Sequence, residues 1–142
     1  MKRQNGQVIV EFALILPLFL LMIFGLIYSG MLFHDYSTLS NVARSATREV
    51  ALLSDTSNVE KISKIKRYYY VTDSQGGGGR FTNGIITNLY VPSASDPFTI
   101  APSSDGKDIV TTINMTLNVK FPLLDMVLPE NFSIVYHMRK DS

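Results

Sequence analysis

The sequence predicts an α+β protein: a long N-terminal helix, transmembrane in its first half and amphipathic in its second, packed on a small antiparallel sheet. Three observations carry that expectation. Phe12 to Phe33 is a run of 22 residues without a charge, about 33 Å of helix against a hydrocarbon core of about 30 Å. Beyond it Leu39, Val42, Ala43, Ala46, Val50 and Leu53 recur at spacings of three and four, the period of one helical face. Near the end, Ile113, Met115, Leu117, Val119 and Phe121 alternate with Thr112, Asn114, Thr116, Asn118 and Lys120, the period of a half-buried strand.

The chain then divides in order. Residues 1–6 form a short leader, 7–53 one continuous helix spanning a membrane at about 12–33, and 54–142 an extracytoplasmic α+β domain closed by a C-terminal β-hairpin. Lys2 and Arg3 precede the apolar run, which keeps the N-terminus cytoplasmic and sends the remainder across. They also account for the net charge of +1; without them it is −1, so neither nucleic acid nor a polyanion is an expected partner. With no cysteine, the outer domain has no disulfide, thiol nucleophile or thiolate metal site, and holds together by packing.

Inside the span, Pro17 withholds a backbone donor from the carbonyl of Ala13, which reads equally as a tolerated kink or a weak point. Gly25 and Ser29, four apart, make a small-residue face where another helix can approach. After the first helix, Ser57 and Glu60 have capping-box spacing before Val59, Ile62, Ile65 and Tyr69, a short second helix. Its outer face carries Lys61, Lys64, Lys66 and Arg67, read as a solvated face with lipid headgroups as the alternative. A strand is expected over Ile85–Val91, and Pro92–Lys107 reads as loop. The partners of the long alternating strand are Phe132, Ile134, Tyr136 and Met138, reached through the apolar, proline-bracketed connection Pro122–Pro129, which either packs under the sheet or forms a contact surface. Three or four strands are expected.

Catalytic chemistry finds no support. The glycines after Gln75 lack the Lys-Ser/Thr of a phosphate loop and read as a flexible turn. Asp96, Asp105 and Asp108 do not have the spacing of a calcium loop. His34 and His137 lie on different elements, and no nucleophile–base pair emerges. The sequons at Asn114 and Asn131 fall in or beside strands and are discounted. The expectation is a structural and interaction protein without enzyme activity, metal or cofactor.

Glu11 is the residue that an ordinary anchor leaves unexplained, because an ionisable group at the edge of a span is costly. A secretory signal peptide has a shorter apolar core, of about 7–15 residues, and a small-x-small site after it. A third reading is a type IV-type prepilin, cut on the cytoplasmic side after Gly6. Gln7 would then be the first mature residue, Glu11 the fifth and Phe12 the sixth. The new α-amine, with a reference pKa of about 8, sits one turn from Glu11 and can meet the carboxylate of a staggered neighbour, so that neither charge is left bare. Cyclisation of an N-terminal glutamine would remove that partner. The other reading of Glu11 is a carboxylate reaching to headgroups or pairing with Lys2 or Arg3.

Gly6-Gln-Val-Ile-Val-Glu11-Phe-Ala-Leu-Ile-Leu-Pro17-Leu resembles the opening of the TadE-like family, minor pseudopilins of tight-adherence (Flp, type IVc) pilus systems. The likeness runs on through Phe24-Gly25, Met31-Leu-Phe33 and Leu39-Ser-Asn41-Val-Ala43-Arg44-Ser-Ala46-Thr-Arg48, and returns loosely at Phe121-Pro-Leu-Leu124 and His137-Met-Arg139. It implies a pilin-like fold, processing at Gly6–Gln7, and assembly through Glu11, Phe12, Pro17, Gly25 and Ser29. The implied partners are a prepilin peptidase, other pilins and pseudopilins, the inner-membrane pilus assembly platform and membrane lipid. The implied place is the cytoplasmic (inner) membrane, crossed once, with incorporation into an extracellular pilus. The alternative is an uncleaved single-pass protein whose outer domain binds a ligand.

Overall fold

The computed structural model describes residues 2–53, 59–72, 79–82, 84–118 and 128–139, with side chains from Gly6 onward. The chain forms two units, Met1–Phe33 and His34–Ser142. Helix α1 runs Lys2–Ala51, with Pro17 inside it; it begins before Gln7 and stops short of Leu53. Its last turn tightens as the Leu53 amide turns back to the Val50 carbonyl at 3.1 Å, and Arg48 lies where the helix dipole favours a cation.

The first unit is the apolar part of α1. Its large side chains face outward, among them Leu14, Leu18, Leu21 and Phe33 at 64–74 % exposure. A helix that is apolar all round and covered by nothing of its own belongs in lipid or against other helices. The most apolar stretch of Gly6–Ala51 has a mean hydropathy of 2.6, long and apolar enough to cross a membrane.

In the second unit, the predicted stripe is the core. Leu39, Val42, Ala43, Ala46 and Val50 are buried, and Leu53 is half-buried. Ala43 and Ala46 keep the helix surface low, which suits close approach of the backbone packed on it. Helix α2, Val59–Tyr69, lays Ile62 and Ile65 against the Val50–Ala51–Ile109 cluster with Ile100 and Met138. Val59, predicted on that face, lies in the first turn and is exposed. Ser57 and the glycines at 76–78 lie outside the described residues, as do Val119, Phe121 and most of the Pro122–Pro129 connection.

Strands β1 (Tyr70–Thr72) and β2 (Gly79–Phe81) form a short antiparallel ladder that the sequence did not announce. The main sheet is built on β5, Asp108–Leu117. β6, Asn131–Arg139, pairs along one edge, while β3 (Tyr90–Pro92) and β4 (Phe98–Pro102) share the other, β4 opposite Ile109–Ile113 and β3 opposite Met115–Leu117. Between them the chain bends at Asp96, whose φ of 43° is left-handed. Asn114 holds that bend, its side-chain amide donating to the Asp96 carbonyl at 2.9 Å.

The two alternating segments pair as expected, with Met115 facing Phe132 and Ile113 facing Ile134; the first strand starts earlier than expected, at Asp108, so that Ile109 faces Met138. These side chains turn inward while Ser133, Val135, His137 and Arg139 are exposed. The expected strand at Ile85–Val91 is corrected. Ile85 to Leu89 form no ladder, and pairing begins at Tyr90.

Candidate assembly face

At about 100° per residue, the residues singled out on α1 separate into two groups. Gln7, Glu11, Gly25 and Ser29 fall in one stripe about 60° wide, with Leu18 and Met22 between them. Phe12 lies about 100° round from Glu11 on one flank, and Pro17 and Gly6 lie about 120° and 140° round on the other. The helix thus collects the acid, the first residue after Gly6 and the small residues on one line, and sets Phe12 and Pro17 apart from it.

That line is open. Leu18 is 70 % and Met22 66 % exposed, Glu11 is exposed, and a Cβ built on Gly25 meets no heavy atom within 4 Å. Glu11 has no hydrogen-bond or ion-pair partner among the described residues. A carboxylate placed there needs a donor from outside the fold, whether headgroup, leader lysine or another chain's amine.

A second carboxylate on α1 has the opposite character. Asp35 is fully buried and accepts from the backbone amides of Asn88 (2.8 and 3.0 Å), Leu89 (2.8 Å) and Tyr90 (3.3 Å), and from the Asn88 side chain (3.2 Å). His34 stands beside it, with Nδ1 3.5 Å from the carboxylate and 3.2 Å from the Asn88 side-chain nitrogen Nδ2. The amides of a turn converge on this charge as they do in anion-binding nests. The sequence reading passed over Asp35. One signal was available: it lies four residues before Leu39, in register with the buried stripe, where a charge has no place unless it is fully bonded.

Further along, the Thr47 hydroxyl donates to the Ala43 carbonyl at 2.6 Å and meets the Thr111 hydroxyl at 2.7 Å. Tyr69 donates to Glu49 at 2.6 Å; burial, then that carboxylate, push its phenol well above the ordinary tyrosine value. Tyr90 donates to the Pro129 carbonyl at 2.9 Å, and burial followed by the charge of Asp35 raises its pKa as well. Arg44 lies over the Tyr136 ring, 5.6 Å from its centroid. These contacts pin the sheet and α2 to the second half of α1 and leave the stripe of the first half untouched.

Residues 6–48 match the TadE-like protein family. The match begins at Gly6, takes in every residue of the open line and Asp35, and ends inside the buried stripe. No curated protein and no solved structure matches the chain. The TadE-like segment supports a protein associated with the tight-adherence pilus, and its apolar helix fits a membrane anchor.

Proposed function

We propose that the chain is a minor pseudopilin of a tight-adherence pilus, cut after Gly6 by a prepilin peptidase and assembled through the first half of α1. It acts as a structural component of the inner-membrane machine and of the fibre, and carries out no catalysis itself. The observation behind this reading is the open stripe of the TadE-like segment, on which Glu11, without a partner among the described residues, lies one turn from Gln7. Removal of the leader creates a cation at Gln7, and parallel helices staggered along an axis bring one subunit's Glu11 to its neighbour's amine. A subunit out of stagger leaves a buried charge unpaired, at a cost of several kcal/mol, about 3–5. The pair then selects register more than it supplies adhesion between helices. Gly25 and Ser29 lower the same line for close approach.

The mass of the membrane-extracted protein tests processing: a chain beginning at Gln7 supports the proposal, and one retaining Lys2 and Arg3 supports an uncleaved anchor with a binding domain. Glu11→Gln tests the register. Insertion and abundance should be unchanged, while recovery of the protein with sister pilins falls by an order of magnitude or more, about tenfold for each 1.4 kcal/mol lost. Full piliation and unchanged co-purification in that variant would leave Glu11 a headgroup contact only.

A further inference from the structure

We infer that the outer edge of β6 is an acceptor for a strand from another chain. The strand lies antiparallel to β6, with large apolar side chains at alternate positions, mostly hydroxyl and amide side chains between them, and an acid at the end that meets Arg139. The inference concerns the 34–142 unit alone and rests neither on the membrane reading of α1 nor on cleavage at Gly6.

The open groups of that edge follow from the ladder on the other side. β6 pairs with β5 only. Leu117 gives its amide to the Glu130 carbonyl at 2.8 Å, one step past the Thr116–Asn131 pair. In an antiparallel ladder every second residue exchanges both bonds with its partner, so Phe132, Ile134, Tyr136 and Met138 turn their amides and carbonyls to β5. Across β5 the alternation holds: Asn114 turns away from β6, donating to the Pro97 carbonyl at 2.9 Å and accepting from the Ser93 amide at 3.0 Å. The amides and carbonyls of Ser133, Val135 and His137, with those of Asn131 and Arg139 at the ends, therefore point to the outer edge. Among the described residues no backbone group bonds to them.

An open edge invites another strand, and folds ordinarily blunt it with charge, proline, a bulge or shortness. The opposite edge of this sheet is blunted. β3 and β4 have three and five residues, Pro92, Pro97 and Pro102 lie along them, and the chain bends between them at Asp96. β6 has no such guard before Arg139. Its nine residues pair one to one with β5 without a bulge, about 30 Å of edge, and Asn131–Met138 contains no proline, glycine, lysine, arginine or acid. Burial is unfinished there as well. Val135 is 50 % exposed, and Phe132, Tyr136 and Met138 are half-buried on the opposite face. A strand alongside would cover them as cross-strand neighbours.

β5 shows which strand fits. Against Phe132, Ile134 and Met138 it sets Met115, Ile113 and Ile109; against Ser133, Val135 and His137 it sets Asn114, Thr112 and Val110; against Arg139 it sets Asp108. Each β6 side chain flanks both edges, so the same pattern suits the incoming strand. β6 carries one cation and no acid, which favours an acid opposite Arg139 and repels a lysine there. Main-chain bonds would hold the strand and the alternate side chains would select it.

Residue-resolved amide exchange on the full-length protein in lipid nanodiscs tests this, with the peptide Asp108–Leu117 as probe and a scrambled peptide of the same composition as control. In the protein alone, the Ser133, Val135 and His137 amides should exchange about tenfold or more faster than those of Ile134 and Tyr136. The peptide should slow the first three about tenfold, and the scrambled peptide should not. Val135→Pro removes one outward donor and spares the β5–β6 ladder; Ile134 and Tyr136 should stay slow while the peptide loses its effect. Val135→Lys keeps the donor but adds an edge charge at an exposed position, and should weaken the effect with the ladder intact. Outward amides already as slow as Ile134 and Tyr136 would mean that the chain covers its own edge, which overturns the inference. Outward amides that the peptide does not slow, that both peptides slow alike, or that are slowed equally in Val135→Pro overturn it too. None of these outcomes depends on the span or on processing, so failure here leaves the proposed role of α1 standing.

Discussion

Removing the Asp35 carboxylate should undo the attachment of the 88–90 turn to α1, and the size of the effect follows from its bonds. Three backbone amides point at the charge, and the residues of two of them, Leu89 and Tyr90, are 1 % exposed. Asn88 is exposed, so water replaces the acid for that amide at little cost. Leaving each of the other two buried and unbonded costs about 1–3 kcal/mol. Asp35→Ala, which also opens a small cavity, should therefore lose about 3–5 kcal/mol. Asp35→Asn keeps one acceptor but turns a donor toward donors, and should lose about 2–3 kcal/mol. Amide hydrogen exchange on the full chain in lipid nanodiscs reads the turn directly. A local loss of about 3 kcal/mol opens Leu89 about a hundredfold more often. A second readout comes from Tyr90, whose ionisation the Asp35 charge pushes upward; in Asp35→Asn the phenol should titrate lower. If Leu89 and Tyr90 exchange as slowly in Asp35→Ala as in the parent, the amides are satisfied elsewhere and the carboxylate is not what holds the turn.

Two further outcomes are expected. Thr47 and Thr111 form one buried hydroxyl pair, so Thr47→Val strands the Thr111 hydroxyl at a cost of about 1–2 kcal/mol, Thr111→Val costs less because Thr47 keeps the Ala43 carbonyl, and the double change costs less than the sum; urea unfolding of the four chains measures the coupling, and simple additivity would show that the hydroxyls are independent. Tyr69 has a raised folded-state pKa, so below about pH 10 it is neutral in both states, and above it the unfolded chain ionises first and stability falls. Tyr69→Phe should lose about 1 kcal/mol at neutral pH with the Glu49 bond yet show a shallower alkaline decline; identical slopes in the two proteins would remove Tyr69 from the alkaline response.

Periodic features were legible in the sequence because periodicity is what burial selects. The α1 stripe from Leu39 to Val50, Ile113 with Met115, and the Phe132–Met138 face repeat at the spacings of their elements, and each lies on the face that the fold turns inward. What escaped is aperiodic and long-range. Asp35 bonds to amides more than fifty positions away, and nothing local in Thr87-Asn-Leu-Tyr announces an acceptor. The same omission explains the misplaced strand. Ile85–Val91 alternates well enough to pair, but its amides at 88, 89 and 90 turn to a carboxylate, and only Tyr90–Pro92 join the ladder. The β1–β2 ladder was hidden for another reason: each strand has three residues, too few for alternation to show. An aromatic contact between Tyr70 and Phe81, centroids 5.5 Å apart, marks it instead.

Two of the three acids of α1, Glu11 and Asp35, divide the helix by where their partners lie. Asp35 finds every donor inside its own chain, so it closes the fold and offers nothing to a neighbour. Glu11 is exposed and finds none among the described residues, though it sits on a helix whose surroundings are too apolar to hydrate it cheaply. A charge retained under those conditions is stabilised by something that arrives later. Lipid headgroups would serve a residue at any angle around the helix. A neighbouring chain would serve only one line, and Glu11 shares its line with Gln7 and with the glycine and serine that let helices close. Moving the acid round the helix separates the two. With Glu11→Gln combined with Phe12→Glu, the charge stays at the same depth but turns about 100° off the line. Headgroup pairing would tolerate the shift and preserve assembly, whereas a register contact would not.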